Sequence, residues 1–179
     1  MKKMSVGVKS IIVLTVICLV VAALLAVTDH ITAPIIKTMS ENRIASSLAN
    51  VLPDSGEPKE ILLEGDQWPD TVKKLYSFED GSYAVVLATV SEYSNGDMGI
   101  TVGIGPDSKI LGIMLTSYYE SKDFGKATYP INFIGKDEQG AAEVDTFTGV
   151  TYSSTAFKEA LSDAFKAVEL AKTQGGAAQ

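Results

Sequence analysis

Residues 99–115 read GITVGIGPDSKILGIML, and the two halves of this stretch decide the fold. Gly99-Ile100-Thr101-Val102-Gly103-Ile104 places β-branched residues at alternate positions. Lys109 to Leu115 alternates in the same way, and Pro106-Asp107-Ser108 between them has turn chemistry. Two antiparallel strands are expected here. Upstream, Ser94-Asn95-Gly96-Asp97 is the strongest turn signal in the chain, because Asn-Gly tolerates the positive φ angles of a tight hairpin. Before it, Leu75 to Phe78 and Tyr83 to Val90 flank Asp80-Gly81 as a further hairpin. The pattern predicts an antiparallel meander over about residues 72–118 with one face buried. Downstream, Phe157, Leu161, Ala164, Phe165, Val168 and Ala171 share one helical face, with Ser153 or Ser154 as N-cap and Gly175-Gly176 as stop. Ahead of the sheet, Ile35, Ile36, Met39, Ile44, Leu48, Val51 and Leu52 recur at spacings of three and four, a helix halted by Pro53. Asp54 to Pro58 reads as a loop. The fold class is α+β, a sheet between a leading and a closing helix.

The N-terminus adds a different element. No charged residue occurs between Lys9 and Asp29, and from Ile11 to Val27 the only polar side chain is Thr15. An apolar helix of about 20 residues spans a bilayer, whereas the core of a cleavable signal usually runs about 7–15. The cleavage-like string Val21-Ala22-Ala23 lies inside the run, so a retained anchor is expected. This divides the chain into an N-terminus over 1–9, a transmembrane helix over 10–30, a linking helix over 31–53 and a domain over 54–179. Lys2, Lys3 and Lys9 precede the span, which places the N-terminus in the cytoplasm and the domain outside the cell (inner) membrane, in a single-pass arrangement.

Charge and rare residues exclude several functions. All 22 acidic residues lie at or beyond Asp29, at the far end of the span, so the domain is strongly acidic and no nucleic-acid partner is expected. Cys18 lies mid-span and His30 at its edge, and the chain has no other cysteine or histidine. Disulfides, Fe–S and Cys-type zinc sites, His-rich metal sites and His-based triads are thereby removed from the domain. Chemistry there falls to carboxylates, hydroxyls, backbone or a bound organic group.

Directly before the closing helix stands Asp145-Thr146-Phe147-Thr148-Gly149-Val150-Thr151. It is a hydroxyl-rich turn feeding a helix N-terminus, where unpaired N–H groups and the helix dipole favour a phosphate. Gly149 permits unusual dihedrals and close backbone approach. An isolated Thr-Gly-x-Thr more often does no more than cap a helix. Here, however, the segment resembles the flavinylation motif of the RnfG/NqrC family: Asp, two variable residues, Ser/Thr-Gly-Ala-Thr. Asp145, Thr148, Gly149 and Thr151 match, and Val150 replaces the usual alanine.

That resemblance implies FMN bound covalently, as a phosphoester on Thr151, by a flavin transferase that takes it from FAD. A second similarity is to Glu-Thr-Pro-Gly-Leu-Gly, of which Glu120-Ser121-Lys122-Asp123-Phe124-Gly125 keeps Glu120 and Gly125 as loop positions near the flavin. Tyr118, Tyr119, Phe124, Phe147 and Tyr152 are candidates for stacking on the flavin ring. The order of span, helix, sheet and closing helix is similar to the RnfG branch of that family. The implied role is an electron-transfer component, rather than an enzyme alone, of an ion-translocating ferredoxin:NAD oxidoreductase. Its partners would be the other components of the Rnf complex. The alternatives are a flavin carrier of an Nqr-type or extracellular electron-transfer system and, in another class, a cofactor-free membrane-anchored adaptor.

Overall fold

A computed structural model describes residues 6–62, 65, 67–91, 96–119 and 128–175, in two compact units, 1–42 and 43–179. One helix, α1 (Val6–Val51), runs through both the apolar segment and the linking segment, and the boundary between the units falls within it. Pro34 lies inside α1 without ending it. Residues 7–51 contain an 18-residue window of mean hydropathy 3.1, none of it buried, so the helix is long and apolar enough to cross a bilayer. The hydroxyls of Thr15, Thr28, Thr32 and Thr38 each donate to the carbonyl four residues back, so they add no unpaired polar group along the helix.

The second unit is built on a five-stranded antiparallel sheet in sequential order. Its strands are β1 (Lys59–Ile61), β2 (Val72–Ser77), β3 (Tyr83–Thr89), β4 (Met98–Ile104) and β5 (Ile110–Ser117). Strands β2 to β5 occupy the stretch that the alternation predicted; β1 is an addition from the segment after the expected loop. The Asp80-Gly81 turn closes as its residues suggest. Gly81 has φ +82 and the Asp80 carboxylate accepts from the Ser82 N–H at 2.9 Å. Past β5 come a 3₁₀ turn (Tyr129–Phe133), a short helix α2 (Glu138–Ala142) capped by the Asp137 carboxylate, and the closing helix α3 (Thr151–Gly175).

The sheet is covered on both faces, not one. Ile100, Val102 and Ile104 of β4 join Leu75, Val85, Leu87, Ile110, Phe133, Phe157 and Leu161 in the large core beneath α3. The opposite face carries a smaller core of Leu48, Val51 and Leu52, from the end of α1 and just beyond, with Tyr76, Phe78 and Ala84. β4 is consequently buried along its whole length. Two glycines make room for the second layer. Gly103 pairs with Gly112 across β4 and β5. A Cβ on Gly112 would come within 2.6 Å of the Val51 carbonyl oxygen, and one on Gly103 within 2.8 Å of the Leu52 side chain.

Candidate functional site

The segment from Asp145 to Thr151 connects α2 to α3 and lies at the surface: Asp145, Thr146, Phe147, Thr148, Gly149 and Thr151 are all exposed. Val150 turns inward against the large core, and the half-open Phe147 ring meets the buried Tyr129 ring edge-on. Such a stretch has little side-chain burial to order it, yet its backbone is held at successive points. Lys158, two turns into α3, donates from Nζ to the Ala142 carbonyl at 3.0 Å and to that of Val144. The Tyr129 hydroxyl donates to the Asp145 carbonyl at 2.9 Å. The Phe147 N–H donates to Ser154 Oγ at 3.1 Å. The Val150 N–H closes a turn on the Phe147 carbonyl at 3.1 Å.

That turn explains the glycine. Gly149 is its third residue, with φ +85, the left-handed conformation a type II turn requires there and a β-carbon resists. A Cβ built on Gly149 meets nothing within 4 Å, so the requirement is conformational and the space beside it is open. The turn reverses the chain so that α3 begins at Thr151. The Val150 carbonyl accepts the first helical bond, from the Ser154 N–H at 3.1 Å.

This start is earlier than the expected cap at Ser153 or Ser154. Ser154 instead sits one turn inside, fully buried. Its Oγ donates back toward the Val150 and Thr151 carbonyls, each at 3.0 Å, while receiving the Phe147 N–H. Thr151 is therefore the first residue of the helix, and it is exposed. The first N–H groups of any helix lack an intrahelical carbonyl, and its dipole favours an anion there.

Tyr129 is not among the residues that the sequence pattern singles out. It is 3% exposed and meets Phe133, Phe147 and Phe157 with ring centroids at 5.2, 5.8 and 5.8 Å. Burial pushes its phenol above the ordinary tyrosine range, with the Asp145 charge adding to the rise, and a hydrogen bond with the Ser154 side chain works the other way. The phenol therefore remains a protonated donor at neutral pH. The signal that could have found it is Pro130, which starts the short turn displaying Tyr129 and Phe133 inward.

Among the aromatic candidates, Phe147 and Tyr152 stand exposed beside Thr151, and Tyr119 is exposed after β5. Tyr118 packs partly into the large core. Glu120, Phe124 and Gly125 lie outside the described residues. Two surface recesses, of about 420 and 290 Å³, lie along α2 and α3 around Phe165 and Glu138, and neither is lined by a residue from Asp145 to Thr151. Among the described residues, the segment lies at the surface of the domain. An exposed threonine, an open glycine turn and a helix N-terminus together fit a phosphate-bearing group.

Residues 94–166 match the model of the FMN-binding domain. The match opens a few residues before β4 and closes within α3, so it encloses the entire Asp145–Thr151 segment. No curated protein matches the chain.

Proposed function

We propose that the protein is a membrane-anchored flavoprotein that carries FMN as a phosphoester on Thr151 and relays electrons within an Rnf-type ion-translocating ferredoxin:NAD oxidoreductase. The observation that carries this reading is the exposed Thr151. It stands at the first position of α3, after a backbone-fixed turn, inside the stretch that matches an FMN-binding domain. When bound, FMN supplies one- and two-electron redox chemistry. The chain supplies the attachment point and the place.

In attachment, the Thr151 hydroxyl loses its proton to the transferase. Its oxygen would then take the FMN phosphoryl group from FAD, the pyrophosphate bond breaking with AMP as the leaving group. Asp145, Thr148 and Gly149 shape the recognised turn, and Val150 anchors it in the core. The N-terminus of α3 would set partial positive charge beside a phosphate held on Thr151. Phe147 and Tyr152 offer exposed rings for stacking. Covalent attachment prevents loss of an extracytoplasmic cofactor, and the anchor keeps it at high effective concentration beside its partner carriers.

The test is the intact mass of the protein made in cells containing a flavin transferase. A gain of one FMN less one water is expected, and Thr151→Ala abolishes it while leaving the fold intact. Unmodified wild-type protein would support the cofactor-free adaptor instead. Flavin retained by denatured Thr151→Ala would move the acceptor, with Thr148 the next residue to test.

A further inference from the structure

The hydrogen bonds that tie the domain body to the acceptor segment reach its backbone, and two buried hydroxyls supply the central pair. Tyr129 and Ser154 are 3% and 0% exposed. They come from different elements, the 3₁₀ turn and α3, and converge beneath one exposed loop. Tyr129 fixes the Asp145 carbonyl at the first position of the motif, and Ser154 fixes the Phe147 N–H at the third. Ser154 also donates to the carbonyls of Val150 and Thr151, so a single side chain touches both sides of the Gly149 turn. An exposed loop such as this does not need protein partners for its polar groups, because water is available to them. Two buried hydroxyls directed at its backbone hold it in one shape.

We propose that Tyr129 and Ser154 are a positioning pair that holds residues 145–151 in the conformation the flavin transferase binds. This deepens the assignment of Thr151 as flavin acceptor and rests on it. Neither side chain meets the reacting atoms; each acts by raising the fraction of molecules whose loop is already competent. Lowering that fraction raises the apparent dissociation constant in inverse proportion and leaves the step after binding unchanged. The pair should therefore appear in the KM for the acceptor protein and not in kcat.

The experiment uses the full chain in detergent with FAD and a flavin transferase, measuring initial flavinylation rates against acceptor concentration. Tyr129→Phe deletes the bonds to the Asp145 carbonyl and the Ser154 side chain and keeps the ring among Phe133, Phe147 and Phe157. Ser154→Ala deletes the partner of the Phe147 N–H. Each is expected to raise KM roughly 3- to 10-fold, as for a loop competent in about a tenth to a third of molecules, with kcat within about twofold. Amide exchange at Phe147 and Val150, measured without transferase, should quicken in both variants. Unchanged KM, or a fall in kcat alone, overturns the proposal. So does unchanged amide exchange in Tyr129→Phe, whatever the kinetics. Should Ser154→Ala fail to fold, Tyr129→Phe decides the matter by itself. Absence of flavin on the wild type, or its presence on Thr151→Ala, refutes the acceptor assignment separately, and a failure of the positioning pair alone leaves that assignment standing.

Discussion

The two faces of the sheet are closed by helices of opposite character. α3 brings a dense apolar face, with Phe157, Leu161 and Val168 in a core that also holds Phe133 and Tyr129. The end of α1 brings a few aliphatic residues and one buried hydroxyl pair, Thr101 Oγ1 to Ser47 Oγ at 2.9 Å, over a notch made by Gly103 and Gly112. The first face is where the bulk of apolar burial lies, and its helix begins with the flavin-acceptor candidate. The second face makes the final turns of a potential membrane helix part of the domain's own core. The second compact unit accordingly begins before the end of α1, at about residue 43.

Removing the second layer altogether should have the largest effect. A chain beginning at Asp54 loses Leu48, Val51 and Leu52, each worth about 1.5–3 kcal/mol of burial. That sum rivals the roughly 5–15 kcal/mol total stability of a typical domain. A chain beginning at Thr32 keeps all three. Thermal unfolding followed by circular dichroism should show a cooperative transition for the Thr32 chain and none, or one far lower, for the Asp54 chain. Equal transitions would show that the α1 layer is dispensable.

Phe157→Ala tests the other face. Phe157 is completely buried against Tyr129 and Phe133, so truncation should cost about 3–5 kcal/mol. Chemical denaturation measures it. A smaller loss than that caused by any single change on the α1 face would invert the ranking of the two layers. Gly112→Ala comes next. Its β-carbon would press on Val51 backbone atoms at 2.6 and 2.8 Å, and backbone cannot swing aside, so overpacking of about 1–3 kcal/mol is expected. Faster amide exchange confined to residues near 48–52 would locate the damage, whereas damage spread evenly over the sheet would deny that the notch belongs to α1.

The sheet was legible because Ile100, Val102 and Ile104 alternate with smaller residues, and its turns carry the residues their dihedrals need. Its second layer was hidden by that same alternation. Gly99, Thr101 and Gly103 look like a solvent-facing side, since glycine and threonine carry no sign of burial in sequence. Their smallness is what admits a helix end so closely. α2 is too short for a periodicity, and β1 too short for an alternation. At the candidate site, Asp145, Thr148, Gly149 and Thr151 could be singled out in the sequence because they form one contiguous string that resembles a family motif. Tyr129 and Ser154 could not be: one lies 16 residues before Asp145, and the other reads as a helix cap unless α3 is known to start at Thr151.

The smallest effect should come from the hydroxyl pair, and it tells most about what that pair is for. Thr101→Val keeps the shape of the side chain and removes the proton that Ser47 Oγ accepts. Ser47 still donates its own proton to the Ile44 carbonyl at 2.8 Å, so only one acceptor position is left unmet. A lost hydrogen bond of this kind costs about 0.5–1.5 kcal/mol. Ser47→Ala should cost a similar amount, because the Thr101 hydroxyl is then buried without that acceptor. Removing both partners leaves two apolar groups in contact, which can be nearly neutral. The double variant should thus be clearly more stable than the sum of the single losses predicts, and close to wild type. Neither group ionises, so the result should not change between about pH 5 and 9. Full additivity in a double-mutant cycle would mean the two hydroxyls do not depend on each other. A double variant of wild-type stability whose α1 end nevertheless exchanges faster would show that the pair fixes the register of α1 on the sheet rather than its strength.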